Sequence, residues 1–249
     1  MKSFFWLAPD ANRDERDTFA DLDRMFALRG ELVNESNMSH LNRIQVGEKH
    51  YYVKVYHLAG RNLRRFVGRS RVRAEWHNQS LFGEFGIPSA RIVAFGERGR
   101  TFGAKQGAIV TEEIPETLDL AHVIEKRPDL LADRYWTGQV IDRLADYVRA
   151  MHGHRFVHND LKWRNILVDL SQGPEVYIID CPWGRTLFGP LLQRGIVKDL
   201  ACLDRLAKRH LSRSQRLRFF KRYHDTDCLT EVQVKQMERV LRFFEGREE

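Results

Sequence analysis

The first half of the chain alternates short apolar and polar stretches, a pattern typical of β-strands. Residues 41–46 and 51–56 flank a Gly47-Glu48 turn, and together they predict a β-hairpin. Further strands are predicted at residues 91–95 and 107–111. These segments predict a small antiparallel sheet in this half of the chain.

One helix is predicted within this β-rich half. An arginine-dense stretch, residues 61–73, leads into apolar positions at helical spacing. Those positions are Val72, Trp76 and Leu81. Gly83 and Gly86 are expected to break this helix, and residues 97–100 are expected to form a turn.

From Pro115 onward the pattern becomes helical. Gly153 ends a long predicted helix, one face of which carries Tyr135, Val140, Ile141, Leu144, Val148 and Met151. Two short apolar runs, at residues 166–168 and 176–179, predict strands. A capping box of Thr230 and Gln233 predicts a last helix with Val234, Met237, Leu241 and Phe244 facing inward. We therefore expect a β-rich half, residues 1–114, and a mainly helical half, residues 115–249.

Composition limits the class of protein. The chain has 249 residues of which 43% are hydrophobic, which excludes global disorder. No apolar run approaches the roughly 18–20 residues of a membrane span, and the N-terminal apolar stretch stops at Pro9. The cysteines Cys181, Cys202 and Cys228 lie far apart, so neither disulfides nor a zinc site is indicated. We expect a cytoplasmic protein.

The charge balance favours an anionic partner. Lysine and arginine total 41 against 34 aspartates and glutamates, a formal net charge of +7. Nucleic acid, a phosphate-bearing ligand and a membrane surface all fit this balance, and charge alone does not choose among them.

The segment from His158 to Val168 carries the most informative chemistry. Phosphoryl transfer from ATP needs a carboxylate to orient and deprotonate the acceptor hydroxyl, a cation for the moving phosphoryl group, and oxygen ligands for Mg²⁺. Asp160, Lys162 and Asn165 offer these three groups within one loop. Asp180 follows Asn165 by fifteen residues, at the end of an apolar run, and would supply the main metal carboxylate.

This segment resembles the catalytic loop of the protein-kinase-like superfamily, His-Arg-Asp-x-Lys-x-x-Asn, which Asp-Phe-Gly follows. The chain reads His158-Asn159-Asp160 in the first element and Asp180-Cys181-Pro182-Trp183-Gly184 in the second. The resemblance implies an α+β, protein-kinase-like bilobal fold with a small antiparallel β N-lobe and a reduced, mainly α-helical C-lobe. It also implies ATP and Mg²⁺ as cofactors.

The same resemblance implies nucleotide contacts in the N-terminal half. Lys54 matches the strand lysine that grips the α/β-phosphates, and Glu75, 21 residues later, matches its helix glutamate. Glu84 is the rival for the glutamate role. No Gly-x-Gly-x-x-Gly precedes Lys54, so residues 34–39, with Ser36 and Asn37, would cover the phosphates. The residues expected in the adenine-binding hinge are Glu112, Glu113 and Ile114.

A closer resemblance is to the lipopolysaccharide core kinases of Gram-negative bacteria, the Kdo and heptose kinase family. It is carried by the two catalytic segments together with residues 52–56, 86–88 and 111–114. It implies that the acceptor is a sugar hydroxyl of the lipopolysaccharide core oligosaccharide or of a lipid A–core intermediate. It also implies that the enzyme works at the cytoplasmic face of the inner membrane. The chain lacks an Ala-Pro-Glu element, which favours such a small or glycan acceptor over a peptide.

Two basic patches are candidates for peripheral contact with an anionic membrane. One is the arginine-dense stretch 61–73. The other comprises Arg205, Lys208, Arg209, Arg213, Arg216, Arg218, Lys221 and Arg222. Solvated helix faces or a nucleic-acid patch would account for the same residues, and the family resemblance implies no nucleic acid.

Three further residues and the function itself admit more than one interpretation. Asp199 either stabilises the catalytic loop or caps a helix. His152 and His154 are expected to be solvated at a helix end. A compact atypical protein kinase and a catalytically silent pseudokinase, acting as a binding module, are the rival functions.

Overall fold

The computed structural model describes residues 2–57, 70–99 and 105–246. Arg61, Arg64, Arg65 and Arg69 of the first predicted basic patch lie outside these residues, as does Arg100 of the predicted turn. The chain divides into two compact units. The first comprises Met1–Ser80 and Ala90–Ile114, and the second comprises Leu81–Ser89 and Pro115–Glu249.

An antiparallel sheet dominates the first unit. Its strands are β1 (Lys2–Leu7), β2 (Glu31–Glu35), β3 (Ser39–Val46), β4 (Lys49–Tyr56), β5 (Ile92–Gly99) and β6 (Lys105–Glu112). Their order in the sheet is β1-β5-β6-β4-β3-β2. The predicted hairpin is confirmed as β3 and β4 around Gly47, whose φ of +61° suits a residue without a side chain. The turn predicted at residues 97–100 is wrong over its described part, because residues 97–99 continue β5 and pair with β6.

Two short helices, α1 (Arg13–Thr18) and α2 (Leu22–Ala27), accompany this sheet. Asn12 and Glu15 form a capping box at the start of α1. Phe19 and Met25 are fully buried in one cluster with the alternate β4 residues Tyr51, Val53 and Val55. Burial of every second β4 residue fixes the strand register and sends Lys54 to the opposite face of the sheet.

The arginine-rich helix α3 spans Arg71–Glu84. The predicted break at Gly83 is wrong: the helix passes through it, since a glycine costs a helix only about 1 kcal/mol. Gly86, with φ of +69°, lies just beyond the helix end. Trp76 is partly buried and stacks on Phe95 of a small apolar cluster, with ring centroids 5.0 Å apart.

The second unit is mainly helical. Its helices are α4 (Leu120–Lys126), α5 (Pro128–Ala132), α6 (Arg134–Gly153), α7 (Gly189–His210), α8 (Arg213–Tyr223) and α9 (Glu231–Arg242). Its short strands are β7 (Thr117–Asp119), β8 (Phe156–Val157), β9 (Ile166–Asp169), β10 (Val176–Ile178) and β11 (Arg185–Thr186). β9 lies between β10 and β7, and β11 pairs with β8.

Two predicted inward positions are wrong. Tyr135 is 71% exposed, and its neighbour Trp136 is buried in the α6 core face instead. Leu241 is also exposed, whereas Val240 is buried. In each case the adjacent residue faces the core instead. A helix turns about 100° per residue, and near a helix end the sequence pattern does not determine which of two neighbouring apolar residues faces inward. The predicted stop at Gly153 and the capping box at Thr230 are confirmed.

Ion pairs join α6 to α8 and revise the second basic patch. Arg218 binds Asp142 with two hydrogen bonds of 2.8 and 2.6 Å, and Arg222 binds Asp146 with two of 2.9 and 2.6 Å. The two arginines are four residues apart on α8 and the two aspartates are four residues apart on α6, so the two ion pairs form side by side along the helix contact. Arg216 is held in the same way by Asp204. These arginines are therefore structural links, and the patch is less cationic than its sequence indicates.

No disulfide bond joins the three cysteines, all of which lie within the described residues. Over the described ranges, every helix is too short or too polar to span a lipid bilayer.

Candidate active site

The catalytic-loop segment lies in the second unit, where it follows β8 and precedes β9. A 3₁₀ turn, Trp163–Asn165, leads it into β9, and the buried indole of Trp163 donates to the Leu203 carbonyl. Asn159 has φ of +65° and Asp180 has φ of +57°. Positive φ in non-glycine residues costs energy, so the surrounding contacts must hold both residues in place.

Asp199 supplies one of those contacts. Its fully buried carboxylate accepts the backbone N–H of His158 at 2.7 Å and of Asn159 at 2.8 Å. Asp199 lies in the middle of α7, which excludes the helix-cap reading. The hydrogen bonds hold the loop immediately before Asp160, so Asp199 acts as a positioning residue.

His152 was missed by the sequence reading, and its predicted solvation is wrong. The imidazole is buried, with Nδ1 2.8 Å from the Tyr223 hydroxyl and Nε2 3.4 Å from Oδ2 of Asp199. It therefore supports Asp199 from α6. The place of His152 next to Met151 on the apolar face of that helix was the available signal. His154 is exposed and stacks on Phe85.

The His158 ring connects the two catalytic segments. Its Nδ1 lies 3.4 Å from the Asp160 backbone N–H, and its Nε2 lies 3.2 Å from the Ile179 carbonyl. This arrangement requires a neutral ring that accepts at Nδ1 and donates at Nε2. Complete burial lowers the pKa of His158 and so favours that neutral form.

Asp160 and Lys162 form an ion pair on the loop. The Lys162 Nζ lies 2.6 Å from Oδ1 of Asp160, and an exposed guanidinium, that of Arg164, lies 3.7 Å from Oδ2. Asp160 is half-buried, so its carboxylate is anchored by the loop and still reaches solvent. A carboxylate can accept the proton of an acceptor hydroxyl, and an adjacent ammonium group can stabilise the negative charge of a phosphoryl group during its transfer.

Asn165 and Asp180 are brought close through the backbone. The Ile179 N–H donates to the Asn165 carbonyl at 3.0 Å, which places Asp180 one residue from that contact. The Asn165 side-chain amide donates to the Asp160 carbonyl at 2.8 Å, so its Oδ1 is the atom left to act as a ligand. One carboxylate and one amide oxygen fit Mg²⁺, which prefers oxygen ligands and keeps water and phosphate oxygens for its other positions. No cluster of three or more His, Cys, Asp or Glu suited to a metal occurs among residues 2–57, 70–99 and 105–246.

In the first unit, Lys54 pairs with Glu75. The Lys54 Nζ lies 3.1 Å from Oε1 of Glu75, and the Tyr56 hydroxyl donates to Oε2. Both members of the ion pair are largely buried. Glu84, the rival for the role of lysine partner, is the last residue of α3. The observed ion pair favours Glu75 for this role.

The remaining predicted nucleotide contacts lie at the ends of strands. Asn34 and Glu35 belong to β2, and Ser36 turns the chain by accepting the N–H groups of Met38 and Ser39 at its hydroxyl. Asn37 lies within this turn. Glu112 ends β6, and its N–H is engaged by the Arg91 carbonyl. Ile114 is the final residue of the first unit.

Comparison with known proteins gives concordant matches. The chain is 26% identical over 160 residues to the lipopolysaccharide core heptose(I) kinase WaaP of Escherichia coli K12. The matched region covers 58% of this chain. The match spans only 56% of the length of that relative. A solved structure of WaaP in complex with acyl carrier protein superposes with a TM-score of 0.74 at 23% identity, covering 97% of this chain and 96% of that one.

The structural match shows that the chain shares the fold of that solved structure, and the expected α+β class, an antiparallel sheet with a mainly helical second unit, is confirmed. Residues 23–223 match the lipopolysaccharide kinase (Kdo/WaaP) family, a span of well over half the chain. The chain belongs to the lipopolysaccharide kinase (Kdo/WaaP) family.

Proposed function

We propose that this protein is an ATP-dependent kinase that phosphorylates a sugar hydroxyl, of heptose or Kdo, in the lipopolysaccharide inner core. The observation that carries the proposal is the contact of 2.6 Å between Asp160 and Lys162 on a loop held by Asp199. Family membership supports the same reaction.

Asp160 is the proposed general base. Its carboxylate would orient the acceptor hydroxyl and take its proton as the oxygen attacks the γ-phosphorus. Lys162 holds Asp160 and is 42% exposed, so it can turn toward an incoming phosphoryl group. There it would stabilise the negative charge that develops during transfer.

The other predicted residues would bind Mg²⁺·ATP. Asn165 and Asp180 would hold the metal, which neutralises phosphate charge when bound. Lys54 would contact the α/β-phosphates, with Glu75 fixing the direction of its ammonium group. Ser36 and Asn37 would cover the phosphates, and Glu112 and Ile114 would border the adenine. Since the Glu112 N–H is already engaged, its carbonyl is the group expected to bind the base.

The rival functions predict different outcomes. A compact protein kinase would phosphorylate a protein, and a pseudokinase would bind Mg²⁺·ATP and transfer nothing. The match to a heptose(I) kinase favours a kinase with a glycan acceptor over a protein kinase and over a pseudokinase.

Mass spectrometry of core oligosaccharide tests the proposal in the cell. Cells that lack the protein should yield a core missing one phosphate, and wild-type protein should restore it. Asp160→Ala should fail to restore it, whereas Asp129→Asn, which removes a carboxylate of an exposed pair with Arg127, should succeed. An unchanged core in cells without the protein would refute the proposal.

An acyl carrier protein is a second proposed partner, by analogy with the solved WaaP complex. An apolar cavity of about 290 Å³ in the second unit supports it, since fatty acyl chains are apolar cargo. Trp136, Ile141, Leu203, Phe220 and Val240 contribute to its lining. Acylated carrier protein should raise the melting temperature of the purified chain, whereas equal stabilisation by the unacylated form would exclude the cavity as the site.

A further inference from the structure

Large apolar side chains are exposed along one short segment of the second unit, residues 183–191. Phe188 is 62% exposed, Leu191 is 64% exposed and Trp183 is 44% exposed. Phe188 is the N-cap residue of α7, and Leu191 lies in its first turn. We call Phe188 and Leu191 the apolar tip. Contiguous exposed apolar side chains commonly mark an interaction site.

The backbone beneath the apolar tip is firmly anchored. β11 pairs with β8, and the Leu187 N–H donates to the Arg155 carbonyl at 2.9 Å. A side chain at Gly195 would come within 2.9 Å of Val157, so α7 packs closely on β8 one turn further on. Phe188 and Leu191 are therefore exposed on a backbone segment that its neighbours hold in place.

Cations lie beside the apolar tip. The Arg155 guanidinium lies 5.4 Å from the centre of the Phe188 ring, and Arg185 on β11 is exposed. An open groove of about 720 Å³ begins at Pro190 and Arg194 and continues along α9. Its charged lining residues are Arg194, Lys235, Glu238, Arg239 and Arg242. Four cations against one carboxylate give this side of the tip a net positive charge.

The same segment is tied to the catalytic loop. The Asn159 side-chain amide donates to the Trp183 carbonyl at 3.1 Å, and Asn159 directly precedes Asp160. A surface that contacts the apolar tip would consequently lie close to the proposed base.

We propose that the apolar tip and its cations dock the protein onto an anionic lipid bilayer. Phe188 and Leu191 enter the headgroup region, and Arg155, Arg185, Arg194 and the α9 cations meet lipid phosphates. An anchored apolar pair next to a basic groove matches the charge and polarity profile of such a surface. The proposed membrane contact does not involve Arg218 and Arg222 of α8, because carboxylates already bind these arginines.

Vesicle sedimentation of the purified protein tests the proposal. Wild-type protein should bind vesicles containing phosphatidylglycerol and should not bind vesicles of phosphatidylcholine alone. Phe188→Ser should weaken binding about tenfold or more, because the phenyl group no longer leaves water. Arg194→Gln should weaken it about fivefold, and raised salt should reduce that difference.

Tyr135→Ser provides the matched control. Tyr135 is as exposed as Phe188, and it lies at the far end of α6, roughly 27 Å along the helix from Gly153. The control should bind vesicles like wild type. Circular dichroism should show native melting for every variant, so that lost binding is not lost folding.

Two results would overturn the proposal. One is wild-type protein that ignores phosphatidylglycerol vesicles, and the other is Phe188→Ser protein that binds them equally well. A dimer that Phe188→Ser converts to a monomer, without vesicle binding, would instead assign the tip to a second copy of the chain. Lipid binding is measured without nucleotide or acceptor, so its outcome is independent of the proposed kinase activity.

Discussion

The carboxylate of Asp199 accepts the backbone N–H of His158 at 2.7 Å, a contact that joins the middle of α7 to the start of the catalytic loop. The next N–H, that of Asn159, also binds Asp199, and Asn159 has a positive φ. A fully buried carboxylate with two backbone donors is strongly directional. The position of Asp160 therefore depends on a residue 39 positions further along the chain.

Asp199→Ala should damage both stability and activity. It leaves one buried and one partly buried N–H group without an acceptor, so we expect the free energy of unfolding to fall by about 2–4 kcal/mol. Phosphoryl transfer should fall at temperatures where the variant is still folded, because Asp160 loses its anchor. Asp204→Asn, on the same helix and paired with Arg216 away from the catalytic loop, should also lower stability but leave transfer unchanged. Urea unfolding and transfer assays check both variants, and equal effects would argue against a positioning role.

Lys54→Met should raise the KM for ATP. A charge-assisted hydrogen bond to phosphate is worth about 1.5–3 kcal/mol, which corresponds to roughly a 10- to 150-fold change. Glu75→Gln should act in the same direction and more weakly, since it frees the ammonium group without removing it. Arg13→Met is the control in the same unit, because it removes the cation of an exposed pair with Asp17 on α1, and it should leave the KM for ATP near that of wild type. Unchanged ATP kinetics in Lys54→Met would remove this residue from the proposed site.

Stability should decrease as the pH falls below about 6.5. Burial lowers the pKa of His158, and burial is also the leading cause of the lowered pKa of His40 and of His224. Above the unfolded pKa both states are neutral; below it the unfolded chain binds protons that the folded state resists, so unfolding is favoured. His158→Phe should make this loss shallower between about pH 7 and pH 5.5, as measured by urea unfolding. An identical slope in that variant would contradict the assignment.

The double variant Arg218→Ala with Arg222→Ala should destabilise the α6–α8 contact modestly. The pairs are partly exposed, so we expect a loss of about 1 kcal/mol that shrinks in high salt. Arg213→Ala on the same helix should have a smaller effect. Vesicle binding should not change in either variant, and a large loss of lipid binding in the double variant would restore the α8 arginines as a membrane surface.

Features with a local cause were predictable from sequence. The β3–β4 hairpin follows from alternation around Gly47, and the last helix follows from the capping box at Thr230. Lys54 and Glu75 were predicted as partners from the kinase resemblance, and their ion pair is present, whereas the nucleotide-binding role stays a prediction.

Features with a long-range cause were not predictable. β1 completes the sheet by pairing with β5, about 90 residues away, and no nearby residue signals that pairing. The buried Glu15 binds Arg91 and Tyr51, whose distance along the chain hides the contact. Carboxylates on α6 likewise neutralise arginines on α8, although the sequence shows those arginines as a basic patch.

Transfer of labelled γ-phosphate from ATP to purified lipopolysaccharide core oligosaccharide is the decisive test of the proposed kinase activity. We expect Mg²⁺-dependent labelling of the sugar by wild-type protein and a loss of about 10²- to 10⁴-fold in Asp160→Asn. Absence of labelling by folded wild-type protein, or equal labelling by Asp160→Asn, would contradict this proposal.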